Sequence, residues 1–173
     1  NWWGPVGREV GGLRDRAGII DISNFARYRI TGPGAREWLD ALLANRIPTV
    51  PGRSCLAPLI GKRGGIAGDF TVTCLADGDY LMVGSGMAER YHKRFFDAVP
   101  LPAGTRWDSV TEAMAGFNVA GPLARDILQR LTNADLSNAA FPFMRSQEIE
   151  VAGVPCIALR VSFTGDLGWE LHC

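Results

Sequence analysis

The stretch ITGPGAREWLDAL at residues 30–42 returns as VAGPLARDILQRL at residues 119–131. Glycine, proline, alanine, arginine, an acidic residue and two leucines recur in step at a spacing of 89 positions. In each copy a short apolar segment leads into Gly-Pro, and apolar residues follow at helical spacing. Proline suits the first helical turn because the N–H that it lacks would have no partner there. Each copy is therefore predicted to be a strand followed by a helix.

The duplication predicts one α+β domain over residues 1–173, built from duplicated strand-helix units with mainly antiparallel sheets. Strands joined by short glycine turns favour antiparallel pairing, and hence α+β over a doubly wound α/β fold. A spacing of 89 residues exceeds the roughly 20–50 residues of a solenoid repeat. Helices are also predicted near 5–16 and 87–98, and further strands near 18–22, 26–30, 54–60, 66–75, 80–83, 143–151, 155–163 and 168–173.

Composition narrows the classes of partner. Eighteen basic residues balance eighteen acidic ones, so no net field draws the chain toward nucleic acid or an anionic membrane. Four cysteines without a C-x-x-C pair argue against zinc and a dense disulfide framework, which predicts reduced, mostly buried thiols. Without an apolar run of about 18 residues, we expect a soluble, intracellular protein. Its ends, at Asn1 and within an apolar-alternating stretch at Cys173, suggest part of a longer polypeptide that continues beyond the C-terminus.

A candidate site lies in GGIAGDFTVT at residues 64–73, after a predicted hairpin turn at residues 61–65. Alternation puts Asp69, Thr71 and Thr73 on one strand face, which is either a solvated surface or the floor of a polar pocket. The three glycines of the stretch favour the pocket, since they let a flat ligand approach the backbone. A phosphate-binding P-loop does not fit, because Leu56 and Arg63 stand where it needs glycine and Ser or Thr.

A second candidate lies in the last predicted strand. Glu170 follows a Gly-Asp-Leu-Gly turn, and a carboxylate there can accept two parallel N–H bonds from an amidine-like heterocycle. The alternative is an exposed glutamate on an edge strand. His92 and His172 form no metal-spaced cluster with the cysteines, so no metal site is expected. Ser85 lacks a nucleophile elbow and is predicted to cap a helix.

These motifs together resemble the folate-binding domain of the aminomethyltransferase (glycine cleavage T-protein) superfamily. The resemblance rests on RDRAGIIDIS at residues 14–23, the Ile30-x-Gly32 helix entry, Gly64-Gly65-Ile66 followed by Asp69, and FTGDLGWEL at residues 163–171. Within the superfamily, residues 1–3, 43–48 and 165–172 look more like the C-terminal portions of dimethylglycine and sarcosine dehydrogenases than like free-standing T-proteins.

The resemblance implies that an upstream FAD domain oxidises an N-methylated amine and that this chain presents tetrahydrofolate, forming 5,10-methylenetetrahydrofolate. It assigns Asp69 as the catalytic carboxylate beside the folate nitrogens and Glu170 as the group that grips the pterin. Phe163 replaces a tyrosine common in the family, so it keeps stacking but loses a hydroxyl contact. The cofactor-binding set is completed by Thr71, Thr73 and Gly65.

Alternative functions remain open from the residues. One is a stand-alone aminomethyltransferase of the glycine cleavage system, another a folate-dependent demethylase with a different methyl donor, and a third a non-catalytic folate-binding module. The expected partners are a small methylated amine and the upstream FAD domain, with no nucleic acid and no membrane. The expected compartment is the cytoplasm, and the mitochondrial matrix also fits.

Overall fold

The computed structural model describes residues 1–173, which divide into two compact units. Unit 1 comprises residues 1–23 and 115–173, and unit 2 comprises residues 24–114. In chain order the helices are α1 (Trp3–Asp15), α2 (Ala35–Leu42), α3 (Glu89–Phe96) and α4 (Ala124–Gln129). The strands are β1 (Gly18–Asp21), β2 (Ala26–Thr31), β3 (Ser54–Ile60), β4 (Ile66–Ala76), β5 (Asp79–Gly84), β6 (Arg106–Ser109), β7 (Gly116–Ala120), β8 (Arg145–Val151), β9 (Val154–Arg160) and β10 (Gly168–His172).

Each unit contains one five-stranded sheet. In unit 1 the strand order is β1-β7-β10-β9-β8, and in unit 2 it is β3-β4-β5-β2-β6. Every strand pairing in both sheets is antiparallel. The predicted α+β class with mainly antiparallel sheets is confirmed.

The internal repeat supplies one strand-helix unit to each sheet. The first copy is β2 followed by α2, and the second is β7 followed by α4. Between strand and helix, Gly32 has φ 118° and Gly121 has φ 120°. A Cβ on Gly32 would lie 2.2 Å from the Gly104 carbonyl oxygen, and one on Gly121 would lie 2.7 Å from the Arg16 carbonyl oxygen. Both turns therefore require glycine, for backbone conformation and for space.

Two separate apolar cores hold the sheets against their helices. The core of unit 2 is aromatic: Tyr28 packs edge-to-face on Phe96 at 4.9 Å between ring centroids, and Phe70 packs on His92 at 4.6 Å. In unit 1 the core centres on Trp169, with Phe141 packed against it at 6.2 Å. Each aromatic pair adds about 0.5–1.5 kcal/mol to what area burial contributes.

Four features differ from the sequence expectation. The edge strand β6 was not predicted, because four residues carry too little alternation to stand out. Ser85 precedes a 3₁₀ turn, Gly86–Ala88, but its side chain makes no capping hydrogen bond.

The other two differences concern the cysteines and the length of the helix that follows Ser85. Cys156 on β9 and Cys173 after β10 form a disulfide with 4.2 Å between their Cα atoms, so the expectation of reduced thiols was wrong for this pair. The antiparallel register of β9 and β10, with His172 opposite Ile157, brings the two cysteines together. Cys55 and Cys74 are free thiols, half-buried and buried, as expected. The helix predicted near 87–98 begins at Glu89 after the 3₁₀ turn.

None of the four helices is both long enough and apolar enough to cross a lipid bilayer.

Candidate functional site

The β3–β4 hairpin carries the first group of candidate residues, and it forms where the sequence predicts it. Gly61 N–H donates to the Gly65 carbonyl at 2.8 Å, and Gly64 N–H donates to the Gly61 carbonyl at 2.8 Å. Gly64 has φ 79°, a conformation that closes the turn and that glycine adopts without strain. Antiparallel pairing then places Pro58 opposite Asp69 and Leu56 opposite Thr71.

The polar face of β4 changes from exposed to buried along the strand. Asp69 is exposed, Thr71 is half-buried and Thr73 is fully buried. The hydroxyl groups of Thr73 and Ser54, paired across the two strands, lie 2.8 Å apart and hydrogen-bond to each other. The face is therefore neither a uniform solvated surface nor a uniform polar pocket. Thr73 hydrogen-bonds to Ser54, whereas Thr71 and Asp69 are increasingly exposed to solvent toward the turn.

The Asp69 carboxylate is the exposed acidic group of this face. It takes part in none of the chain's ion pairs. Its strand neighbours Gly68 and Phe70 are both buried, so the backbone on either side is held by the core. A carboxylate fixed at its base and open at its tip can accept hydrogen bonds from a ligand or take up a proton.

The glycines around Asp69 serve different purposes. A Cβ on Gly68 would lie 2.8 Å from Phe70 Cε2 and 3.2 Å from His92 Cδ2. Gly68 therefore makes room for the aromatic core, and the expectation that a ligand uses that space does not hold. A Cβ on Gly65 would meet nothing within 4 Å, so the backbone there remains open to close approach.

Glu170, the second candidate, lies on β10 at the centre of the unit 1 sheet. It pairs with Asn118 on β7 and with Leu159 on β9. The alternative of an exposed glutamate on an edge strand is therefore excluded. Its side chain is only 14% exposed, and its Oε2 lies 3.4 Å from Nε2 of the buried His172. The contact with His172 engages one oxygen of the carboxylate and orients the group, and the other oxygen retains acceptor capacity.

The opposite face of β10 anchors Glu170 through Trp169. Trp169 and Leu171 face the core. The guanidinium carbons of Arg125 and Arg160 lie 5.7 Å and 5.5 Å from the Trp169 ring centroid, within cation–π range. Arg160 also donates a hydrogen bond of 2.6 Å to the Phe141 carbonyl. Burial, and then the charge of Arg125, lower the pKa of Arg160, yet a guanidinium remains protonated.

Sequence reasoning did not identify these two arginines as supports of β10. Arg125 recurs in the internal repeat, where Arg36 occupies the matching position. Arg36 instead forms surface ion pairs with Asp40 and Glu37. Arg36 and Arg125 occupy matching repeat positions but have different contacts, and only the tertiary packing reveals this difference.

Phe163 is the aromatic residue among the candidates, and it is fully exposed to solvent. Its side chain is 100% exposed, in the loop between β9 and β10. The loop is closed by a hydrogen bond of 2.8 Å from Gly165 N–H to Ser162 Oγ and by one of 2.5 Å from Thr164 Oγ1 to Asp166 Oδ2. An aromatic ring presented to solvent in this way is available to stack on a planar ligand.

Two further titratable side chains, His92 and Tyr28, are buried and contact each other. His92 is buried, and its Nδ1 lies 3.2 Å from the Tyr28 hydroxyl. Burial lowers the pKa of His92, against the smaller raising influence of the Glu89 charge. Burial likewise raises the pKa of Tyr28. No three His, Cys, Asp or Glu side chains are grouped so as to hold a metal ion.

Comparisons with known proteins bear on both the sequence and the fold. Rat mitochondrial dimethylglycine dehydrogenase is 34% identical over 99% of this chain, which spans 20% of that protein. An aminomethyltransferase from Desulforamulus reducens is 34% identical over 92% of the chain and 43% of its own length. Among solved structures, the glycine cleavage aminomethyltransferase T of Bartonella henselae superposes with a TM-score of 0.81 at 23% identity, covering 95% of this chain and 44% of the other.

The chain thus spans about a fifth of the dehydrogenase that it matches. The GCVT N-terminal domain model matches residues 1–173, the whole of the chain. Two antiparallel sheets, each built around one copy of the strand-helix repeat, agree with the fold of the aminomethyltransferase structure. The chain belongs to the GCVT N-terminal domain family and is a domain of the aminomethyltransferase type.

Proposed function

We propose that this chain is the tetrahydrofolate-binding, one-carbon-transferring part of an FAD-dependent N-methylglycine-type dehydrogenase. Its substrate would be a methylated amine of the dimethylglycine or sarcosine kind, and its product 5,10-methylenetetrahydrofolate. The observation that carries the proposal is the exposed Asp69 carboxylate, unengaged by any cation of the chain, on a strand whose neighbouring residues are buried. The flavin belongs to sequence outside this chain.

The donor and acceptor chemistry of the candidate residues fits a reduced folate. A pterin presents an N–H-rich edge, and a nearly buried carboxylate such as Glu170 can accept hydrogen bonds from these N–H groups. The flat ring system suits the exposed Phe163 side chain and the open backbone at Gly65. Thr71 is half-buried beside Asp69 and adds a hydroxyl that can donate or accept. We assign Thr73 to the same set, although its hydroxyl already forms a hydrogen bond with Ser54.

Asp69 would perform the proton and charge chemistry. When bound, tetrahydrofolate supplies two nucleophilic nitrogens that collect the one-carbon unit. An ionised Asp69 would accept a hydrogen bond from one of these nitrogens, stabilise positive charge that develops beside it, and take up the proton released during attack.

Calorimetry on the full-length protein tests the proposal directly. We expect tetrahydrofolate to bind, and we expect Asp69→Ala to keep that binding while losing formation of 5,10-methylenetetrahydrofolate from the methylated amine. Asp77→Ala, a second exposed aspartate after β4, is the matched control. Absence of tetrahydrofolate binding by the unaltered protein would overturn the proposal. Product formation that survives Asp69→Ala would favour a non-catalytic folate-binding module.

A stand-alone aminomethyltransferase is the second candidate. It is favoured by the 34% identity to the Desulforamulus reducens aminomethyltransferase, of which this chain spans 43%. Such a protein would take its aminomethyl group from a lipoyl-carrying partner and would contain no flavin. The absorbance spectrum of the purified full-length protein separates the two, because a bound flavin absorbs near 450 nm as a general property of that cofactor. A folate-dependent demethylase would be distinguished by its methyl donor.

The proposed partners follow from this assignment. They are the methylated amine and an FAD domain elsewhere in the same polypeptide, without nucleic acid or membrane. The dehydrogenase relative named above is mitochondrial, so the matrix is a candidate compartment alongside the cytoplasm.

A further inference from the structure

Cys156 on β9 and Cys173 directly after β10 are held opposite each other by strands other than the two that they join. Cys173 N–H donates to the Ala115 carbonyl at 3.0 Å, and Ala115 N–H donates to the Cys173 carbonyl at 2.9 Å. Cys156 is paired with Ile149 on β8. Because these backbone positions do not depend on the S–S bond, the two thiols stay neighbours when the disulfide is reduced. The pair can therefore be oxidised and reduced without rearrangement of the sheet.

The disulfide is the bond that joins β9 to β10 at this position. The N–H and C=O groups of one residue point to the same side of an antiparallel strand, and those of Cys173 both point to Ala115. None remains for Cys156, so the two cysteines form a pair without backbone hydrogen bonds, as their Cα separation of 4.2 Å also indicates. The neighbouring register pair is His172 with Ile157. Reduction therefore leaves the end of the β9–β10 ladder without a direct link beyond His172.

This end of the ladder lies beside the candidate pterin contact. His172 is fully buried, and its Nε2 lies 3.4 Å from Oε2 of Glu170. The ends of strands open more readily than their centres, so a cross-link next to His172 restricts the motion of the residue that orients Glu170. A carboxylate that is ordered before its ligand arrives loses less conformational freedom on binding. Oxidation of the cysteine pair is thus expected to favour binding at Glu170.

A small thiol or disulfide can reach the pair at Cys173, which is half-buried, whereas Cys156 is only 5% exposed. The Cys173 thiolate attacks one sulfur of glutathione disulfide, and one glutathione leaves. The Cys156 thiolate then attacks Cys173 Sγ and releases the second glutathione. Two protein thiols are oxidised while one glutathione disulfide is reduced to two glutathiones, which take up both protons. Reduction follows the reverse path, with glutathione attacking at Cys173.

We propose that Cys156 and Cys173 are a reversible redox pair, and that their oxidised form binds tetrahydrofolate more tightly through Glu170. The inference rests on the proposed function, because it takes Glu170 as a contact of the pterin. The cytoplasm and the matrix both contain glutathione, and disulfides in such compartments usually sense redox state rather than act as permanent cross-links. We expect a difference of roughly five- to tenfold, at the low end of couplings between sites, because Ala115 still holds Cys173 after reduction.

The test is a titration of the full-length protein with tetrahydrofolate under anaerobic conditions, in buffers with different ratios of glutathione to glutathione disulfide. Alkylation of free thiols, followed by peptide mass spectrometry, measures the fraction of Cys156–Cys173 disulfide in each buffer. We expect the oxidised protein to bind more tightly by the stated factor. By linkage, saturating tetrahydrofolate should shift the midpoint of the disulfide titration, as squared glutathione concentration over glutathione disulfide concentration, by the same factor toward the oxidised form.

Two variants locate the source of the difference. In Glu170→Gln the affinity should be lower and equal in both redox states, because the carboxylate that responds to the cysteine pair is gone. In Cys156→Ser/Cys173→Ser the affinity should match that of the reduced unaltered protein at every glutathione ratio. The matched control is Cys55→Ser, which replaces the half-buried free thiol of unit 2 and should keep the difference.

Equal affinity of the oxidised and reduced unaltered protein would overturn the inference and leave the proposed function intact, and this comparison needs no variant to fold. A disulfide that is absent, or present, at every glutathione ratio would overturn it as well, since the pair would not respond to redox state. A difference that persists in either test variant, or that Cys55→Ser abolishes, would contradict it because the source would lie elsewhere. Failure of both redox forms to bind tetrahydrofolate would overturn the proposed function itself.

Discussion

The two candidate carboxylates occupy opposite kinds of position on their sheets. Asp69 lies on β4 near the turn of the β3–β4 hairpin, exposed and outside every ion pair of the chain. Glu170 lies on the central strand of the other sheet, nearly buried and 3.4 Å from a buried histidine nitrogen. Both strands bury their other face in an apolar core, so the backbone is fixed in either case.

The difference separates two tasks that carboxylates perform. A solvated carboxylate can exchange a proton and move slightly as charge develops, which suits chemistry. A nearly buried carboxylate with a neighbouring histidine is oriented before any ligand arrives, which suits recognition. Substitutions that keep the shape and remove the charge should therefore affect turnover at Asp69 and affinity at Glu170.

The largest expected effect is on turnover in Asp69→Asn. Loss of the proton acceptor should lower the rate of one-carbon transfer by about 10²–10⁴-fold, because positioned acid–base groups contribute that much. Tetrahydrofolate affinity should change little, since asparagine keeps a hydrogen-bonding oxygen. Single-turnover kinetics beside calorimetry measure the two quantities separately. A variant that loses affinity and keeps its rate would reverse the roles given to the two carboxylates.

At Glu170 the expected effect is on binding. Glu170→Gln keeps the size of the side chain but replaces one acceptor oxygen by an amide, and should weaken tetrahydrofolate binding by about 10- to 100-fold, since hydrogen bonds to charged groups contribute about 1.5–3 kcal/mol. The rate at saturating cofactor should stay near that of the unaltered protein. Glu148→Gln, on an exposed position of β8 in the same sheet, serves as control. Unchanged affinity in Glu170→Gln would remove Glu170 from the site.

A smaller effect should distinguish the two threonines on the Asp69 face. Thr73→Val leaves the buried Ser54 hydroxyl without its partner and should lower the free energy of unfolding by about 1–3 kcal/mol. Thr71→Val, at a half-buried position, should change it by less than about 0.5 kcal/mol. Urea denaturation measures both. The double change Ser54→Ala/Thr73→Val should recover most of the loss, and a loss that persists would show that packing, not the hydroxyl pair, is responsible.

The smallest expected effect concerns the pH dependence of unfolding. Burial lowers the pKa of His92 in the folded chain, so below about pH 6.5 the unfolded chain binds a proton that the folded chain resists. Stability from neutral His92 is therefore fully present above that pH and is lost as the pH falls. His92→Asn retains an acceptor for the Tyr28 hydroxyl and should flatten the stability curve between about pH 5 and 7. An equally steep curve in the variant would assign the dependence to another group.

Much of the fold follows from local sequence patterns. The Gly-Pro strand-helix repeat, the alternation of Phe70 with its polar neighbours, and the turn at residues 61–65 each depend on residues close together in the chain. Such patterns specify elements and their buried faces without reference to the rest of the molecule. The strand and helix positions around them accordingly agree with the structure to within a few residues.

What the sequence did not reveal depends on which distant strands become neighbours. The central position of β10, which buries Glu170, is set by pairing with β7, about 50 residues earlier. The Cys156–Cys173 disulfide depends on the register of β9 against β10. Gly68 makes room for Phe70 and also for His92, which lies on α3, the helix after β5. Periodicity describes one strand at a time and carries no information about such partners.

The turns at Gly32 and Gly121 allow tolerance to mutation to be compared at two matching positions within one chain. Each excludes a side chain because backbone atoms occupy its space, and the two positions differ by the repeat spacing in the sequence. In a saturation library selected for folded protein, depletion of every substitution should recur at both positions. It should not recur at Arg36 and Arg125, which share a repeat position but lie in unlike surroundings. Selection on such a library would thus show at which repeat positions the two copies tolerate the same substitutions and at which they do not.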